Sequence, residues 1–254
     1  MNKWRSKWQK VVVIAISTFL SVFVFSDIAD PQINPQISSA SDFPSLQAHA
    51  LPEFLAKWQD KSISSDYFDQ IESTPLGYLV WSEFPLKIYV EKSENTEISA
   101  ANQRFQQWTA AVKKAIAEWN VYFPLEETTK RETADIVVLR SQTEREAKLN
   151  PDTGLYDIPR AIAAQTNYEF YLTEDPAVIA LRMTVRVSPN FAGVSLLATI
   201  RHELGHALGI WGHSPAASDA LYFSQVSDPA SISPRDINTL KKIYQQPTRL
   251  GWKI

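Results

Sequence analysis

The sequence contains no cysteine, and this absence excludes several kinds of site at once. Without thiols the chain forms no disulfide bond, no thiolate zinc site and no cysteine nucleophile. The absence says little about the cellular compartment, because many exported proteins also lack cysteine. Information about location therefore has to come from the N-terminal residues.

The chain also lacks an excess of positive charge. It has 25 Lys and Arg against 28 Asp and Glu, which gives a formal net charge of -3. Four of the basic residues lie within residues 1–26, a segment that contains no acid. The remainder is mildly acidic and offers no basic surface for a phosphate backbone, so we expect no nucleic-acid partner.

Residues 1–26 have the form of a signal peptide or signal anchor. Basic residues precede an uncharged apolar run at residues 11–26, and both kinds of segment place the following chain outside the cytoplasm. We therefore predict an extracytoplasmic protein, secreted or periplasmic after cleavage. If the segment is not cleaved, residues 11–26 anchor the protein to the membrane.

The rest of the chain divides by composition near residue 76. Residues 27–76 contain five of the fifteen prolines, among Ser, Gln and Asp, and are typical of a linker or prosegment. From residue 77 onward, patterns of strands and helices alternate. We predict one domain over residues 77–254, which is long enough to bury a substantial core.

The strand patterns are of two kinds. Residues 86–91 and 182–187 alternate between apolar and polar, and the second of these suits an edge or half-exposed strand. Residues 134–139 form an apolar run that suits a strand buried on both faces. A further strand is predicted at residues 168–172.

Three helices are predicted by their caps and apolar spacing. Ser99 caps the first, a long helix that should cover one face of the sheet. The second runs from Ser195 to Leu208 and ends at Gly209, and the third begins after Ser233, with proline at its first helical position.

Three of the four histidines fall within twelve residues, and their spacing is that of a metal site. His202 and His206 are separated by four residues, so on a helix they stack one turn apart and reach one ion. Glu203 lies beside them without occupying a ligand position. A left-handed turn at Gly209 would return the chain and bring His213 to a third corner, leaving the fourth for water.

This arrangement predicts hydrolysis by a metal-activated water. Zinc lowers the pKa of a bound water towards about 7 and polarises a carbonyl group. Glu203 would act as the general base, accepting the proton of the water and delivering it to the leaving amine. No protein nucleophile is needed.

The same residues resemble a known group of enzymes. The string at residues 202–209, HELGHALG, followed by Gly-His-Ser at residues 212–214, is similar to the metzincin clan of zinc peptidases and to its matrixin-like branch. The resemblance covers residues 77–254. It implies an α+β fold, in which a twisted mixed β-sheet with an edge strand for substrate is joined by a long backing helix, an active-site helix and a C-terminal helix.

Two departures from the metzincin pattern concern the site. His213 comes one residue later than the third histidine of the clan, which leaves Asp219 as an alternative ligand. Leu221 stands where the clan has the methionine of its turn beneath the metal. The resemblance also implies that Tyr222 contacts the substrate or the metal-bound water, and that residues 182–187 form the strand to which substrate adds.

The predicted function is that of an exported zinc endopeptidase, a monomer with one catalytic zinc ion and peptide or protein substrates. Asp152, Asp157 and Glu169 could line a structural calcium site, but no calcium-binding loop is recognisable, and we expect these residues to be solvated surface acids. The alternative is an inactive metzincin-like zinc-binding interaction module. Retention of Glu203 argues against it, because a purely structural zinc does not need that carboxylate.

Overall fold

A computed structural model describes most of the chain after residue 42. The described residues are 32–33, 43–93, 97–141, 148–149, 156–157, 163–224, 226 and 228–254. The predicted signal segment at residues 1–26 lies outside them, as does Asp152. No helix among the described residues is long and apolar enough to cross a membrane.

A mixed sheet forms the centre of the fold. Its strands are β1 (Gln32–Ile33), β2 (Leu86–Val90), β3 (Leu125–Thr128), β4 (Ile136–Leu139), β7 (Ala164–Leu172) and β8 (Ile179–Val187). They lie in the order β1-β7-β8-β4-β2-β3, and only the β7–β8 pair is antiparallel. The short strands β5 (Lys148–Leu149) and β6 (Tyr156–Asp157) pair separately. The predicted α+β fold is confirmed.

Residues 182–187 form a strand with one partly exposed face, as predicted, but the alternative prediction that they lie at the edge of the sheet is wrong. These residues belong to β8, which pairs with β4 on one side and with β7 on the other. Strand β7 follows β8 on this side of the sheet, and beyond β7 the described residues place only the two residues of β1. Alternation along β8 reflects a buried face and a half-buried face, and it carries no information about neighbouring strands.

The helices lie close to where their caps predicted them. Helix α1 (Glu53–Ala56) is a single turn. Helix α2 (Ala100–Asn120) begins after Ser99, whose hydroxyl accepts a hydrogen bond from the amide of Asn102. Helix α3 (Gly193–Ala207) begins two residues before the predicted start. Helix α4 (Pro234–Ile243) has a complete capping box between Ser233 and Asp236.

The core lies between the sheet and the helices. Helix α3 packs against β7 and β8, and α2 packs against α3. Trp108 and Trp119 of α2 are 1% and 0% exposed, and Trp119 Nε1 donates to the backbone oxygen of Arg201 on α3 at 2.9 Å. The helix that carries the HELGHALG motif is therefore covered by the sheet and by α2.

Residues 43–76, which lie within the range predicted to be a linker or prosegment, contribute to the same core. Leu55 and Tyr67 are 0% and 1% exposed. Trp58 Nε1 donates to Asn238 Oδ1 on α4 at 2.9 Å, and Gln47 pairs with Thr248 in an antiparallel bridge. These residues therefore pack on the elements that follow residue 77, and the boundary between the two ranges stays a prediction.

Candidate metal centre

The three histidines of the motif form one cluster. Their candidate ligand nitrogens lie within 4.8 Å of one another. The Nε2 atoms of His202 and His206 are 3.1 Å apart, close to the edge of about 3.3 Å of a tetrahedron with zinc–nitrogen bonds near 2.0 to 2.1 Å. Their side chains are buried, and that of His213 is half-buried. The cluster fits a zinc site.

Helix α3 and the turn after it bring the three rings together. His202 and His206 lie one helical turn apart. Gly209 then adopts a φ of 117°, and a Cβ there would lie 2.4 Å from the backbone oxygen of Leu79. Both observations require glycine, and the turn it permits carries the chain back to His213.

Backbone carbonyl groups orient two of the rings. His202 Nδ1 lies 2.9 Å from the oxygen of Ala220, and His206 Nδ1 lies 2.7 Å from the oxygen of Ile210. A carbonyl oxygen only accepts, so each Nδ1 carries the proton and each Nε2 keeps its lone pair for a metal. This is the tautomer that metal ligation needs.

The ring of His213 supplies the third nitrogen that could bind a metal ion. His213 Nε2 is buried and finds no hydrogen-bond partner among the described residues. A buried polar atom without a partner costs free energy of about 1 to 3 kcal/mol. A zinc ion bound to this nitrogen would remove the cost, so the donor set fits the ion that the motif predicts.

Burial keeps the histidines in the form that binds metal. It lowers the pKa of His202 to about 3, an effect that the charge of His213 increases and the hydrogen bond to Ala220 opposes. Burial also lowers the pKa of His206 and of His213. The imidazoles are therefore neutral near pH 7, and no proton has to leave before a metal ion binds.

Glu203 lies next to the ligands and is held by a residue of β7. It is 3% exposed, and its Oε2 accepts a hydrogen bond from Thr166 Oγ1 at 2.6 Å. Burial raises the pKa of Glu203 to about 7, and the hydrogen bond from Thr166 opposes the shift. A carboxyl group with such a pKa can accept a proton and release it again at neutral pH.

Asp219, the alternative third ligand, lies outside the histidine cluster. Its Oδ2 accepts hydrogen bonds from Ser214 Oγ at 2.5 Å and from Arg235 Nε at 2.9 Å. The side chain is buried and forms an ion pair with Arg235. The structure therefore brings His213, and not Asp219, to His202 and His206.

Leu221 packs against the helix that carries His202 and His206. It is 0% exposed, and a Cβ built on Gly205 would lie 2.5 Å from its Cδ2. Gly205 stands between His202 and His206 on α3. The absence of a side chain at Gly205 therefore leaves room for Leu221 under the two ligands.

A small cavity opens beside His202. Its volume is about 40 Å³, and Tyr222 lines it together with residues of α3 and of the loop before α4. Most of the described lining residues are small: Ser195, Ala198, Thr199, Ala217, Ala220, Ser224 and Ala230. The one acid among them, Asp219, is paired with Arg235. The cavity thus offers an uncharged space next to a candidate ligand.

Three groups that the sequence did not single out orient the site: the hydroxyl of Thr166 and the carbonyls of Ala220 and Ile210. Thr166 lies 37 positions before Glu203, so no local pattern connects them. A backbone carbonyl carries no residue-specific signal at all. None of these contacts could be found without the fold.

Comparison with known proteins identifies the family of the chain. A sequence profile of the matrixin family matches residues 89–245, which is more than half of the chain. The matched range contains all three histidines and Glu203, and it begins within β2. A search of curated proteins found no match. The resemblance inferred from residues 202–214 is confirmed.

Proposed function

Because the chain belongs to the matrixin family, we propose that it is a zinc-dependent endopeptidase that hydrolyses peptide bonds in peptide or protein substrates. The family consists of metallopeptidases that use zinc. The observation that carries the proposal is the cluster of His202, His206 and His213 with Glu203 beside it. Each chain would hold one catalytic ion, and we propose that it works as a monomer.

The three histidines would hold the ion through their Nε2 atoms. When bound, zinc acidifies a water molecule and polarises the carbonyl group of the substrate. Glu203 accepts the proton of the attacking water on its carboxylate and passes it to the amine that leaves. Thr166 fixes one carboxylate oxygen of Glu203, which leaves the other for the proton.

Strand β7 is our candidate for substrate binding. It lies next to the short outermost strand β1, which pairs with it at Glu169 and Phe170, and Thr166 of β7 contacts Glu203. Tyr168 of β7 packs edge-on against Trp211, which in turn packs against His206. An extended peptide that pairs with this end of β7 would pass beside the histidine cluster. The cavity at His202 would then receive one uncharged side chain of that peptide.

We also propose that the protein works outside the cytoplasm, where matrixins are typically found. The basic flank and apolar run of residues 1–26 support this proposal. The protein would be secreted, released into a periplasm, or anchored to the membrane by residues 11–26. The catalytic domain is assigned to residues 77–254.

The direct test is cleavage of a broad peptide library by residues 27–254. The parent is compared with Glu203→Ala, which removes the general base but no ligand. We expect cleavage by the zinc-loaded parent, and its loss on substitution or on addition of a chelator. A folded, zinc-loaded parent that cleaves nothing would instead support the alternative, an inactive zinc-binding interaction module.

A further inference from the structure

Residues 67–72 precede the matched family range, yet they contact the turn that carries the third histidine. Ile71 pairs with Gly212 in an antiparallel bridge. Next to it, the amide of Glu72 donates to the backbone oxygen of Trp211 at 2.9 Å. Gly212 is the residue immediately before His213, so this pairing fixes the backbone from which that ligand projects.

The backbone of residues 70–71 lies too close to Gly212 for any side chain to fit at that position. A Cβ on Gly212 would lie 2.1 Å from the backbone oxygen of Gln70 and 3.1 Å from Cα of Ile71. Both of these are backbone atoms, so the collision would not be relieved by a side-chain rotation. Gly212 is also the position at which this turn is one residue longer than the metzincin pattern. The longer turn is therefore packed against residues 70–71.

The same segment also reaches the second loop of the site. Tyr67 is 1% exposed, and its hydroxyl donates to Asp236 Oδ1 at 2.6 Å. Asp236 Oδ2 accepts a hydrogen bond from the amide of Ala220 at 2.9 Å. The carbonyl oxygen of Ala220 in turn orients the ring of His202. One short segment thus supports the turn that bears His213 and the loop that orients His202.

We infer that residues 67–72 are a positioning element of the metal site and are retained in the working protein. The inference rests on the proposed function, and it goes beyond the assignment of residues 27–76 as one linker or prosegment. Any part that is removed on maturation ends before Tyr67. Residues 67–72 act through the backbone around His213 and do not touch the metal or the substrate themselves.

Glu72→Pro tests this inference, with Glu72→Ala as its matched control. The side chain of Glu72 is exposed, so the alanine variant keeps the hydrogen bond to Trp211, whereas proline has no amide hydrogen to donate. Without this hydrogen bond the backbone before His213 is less well fixed, and zinc binding has to supply the difference. We expect the zinc affinity of the full chain, measured by competition with a chelator, to fall about three- to tenfold in Glu72→Pro alone.

Tyr67→Phe is the second variant and removes one oxygen atom from the other end of the segment. The zinc affinity of this variant tests the inference if Glu72→Pro does not fold. We expect it to fall by a similar factor. A role in stability alone would lower the midpoint of thermal unfolding and leave the zinc affinity of the folded protein unchanged. That result in both variants would overturn the inference.

Limited proteolysis of the zinc-loaded full chain gives an independent result. We expect the fragment that resists digestion to begin at or before Tyr67. A resistant fragment that begins after Glu72 and binds zinc as tightly as the parent would contradict the inference. The failure of the proposed function is distinguishable, because the parent itself would then bind no zinc or cleave no peptide.

Discussion

Gly205→Ala tests the packing beneath the metal ligands. Gly205 lies between His202 and His206, and a Cβ there would meet Leu221 Cδ2 at 2.5 Å and Trp119 Cζ2 at 3.1 Å. Leu221 and Trp119 are both 0% exposed. Neither can turn into solvent, so the added methyl group has to displace packed atoms directly under the site.

The expected free energies follow from two opposed effects. In an unobstructed helix the change from glycine to alanine stabilises by about 1 kcal/mol, whereas overpacking of a core costs about 1 to 3 kcal/mol. We expect Gly205→Ala to lower the free energy of unfolding by about 1 kcal/mol. Leu221→Ala alone should cost about 2 to 5 kcal/mol, but it opens space for the methyl group. In that background Gly205→Ala should stabilise by about 1 kcal/mol.

The assay is urea unfolding of the parent, both single variants and the double variant, all free of zinc, followed by tryptophan fluorescence. Gly193→Ala is the control for dependence on Leu221: a Cβ there meets no atom within 4 Å, so the cost of alanine at its φ of 64° should be the same in both backgrounds. The reasoning is refuted if Gly205→Ala changes the free energy of unfolding by the same amount in both backgrounds.

Three other substitutions or additions give separate tests. Thr166→Val removes the hydrogen bond that favours the charged form of Glu203, so we expect kcat to fall about tenfold or more with unchanged zinc content. The acid limb of its pH–rate profile should also move to higher pH, and Thr166→Ser should behave as the parent in both respects. Zinc at 1,000 times its Kd should stabilise the parent by about 4 kcal/mol, measured as a higher Tm, and an unchanged Tm would argue against a preformed site. Glu118→Ala leaves the 6% exposed Arg201 without its carboxylate partner and should lower the free energy of unfolding by about 3 kcal/mol in urea; a loss below about 0.5 kcal/mol would show that the pair contributes nothing.

Local signals in the sequence were sufficient for the helices and for the motif. Ser99 and Ser233 cap α2 and α4 as predicted, because a side-chain cap depends only on residues within one turn. The spacing of His202 and His206 likewise depends only on the helical repeat. The position of His213 does not follow from local spacing, since the path of the turn is set by Gly209 against Leu79 and by Gly212 against Gln70, which are contacts across the fold.

Features that depend on strand order were not predictable in the same way. Residues 182–187 alternate because the two faces of β8 differ in burial, and an interior strand of a mixed sheet can show that pattern as well as an edge strand. The hydrogen bond from Thr166 to Glu203 exists because β7 lies beside α3. The packing of Tyr67 and Ile71 near the site gave no signal within a segment rich in proline and polar residues.

The most direct test of the central claim is X-ray absorption by zinc in the parent, in His213→Ala and in Asp219→Asn. We predict one zinc per chain in the parent, bound by three imidazole nitrogens and an oxygen at about 2.0 to 2.1 Å. His213→Ala should lose one imidazole from the spectrum, and Asp219→Asn should retain all three. A parent without stoichiometric zinc, or a spectrum that changes with Asp219 and not with His213, would contradict the account.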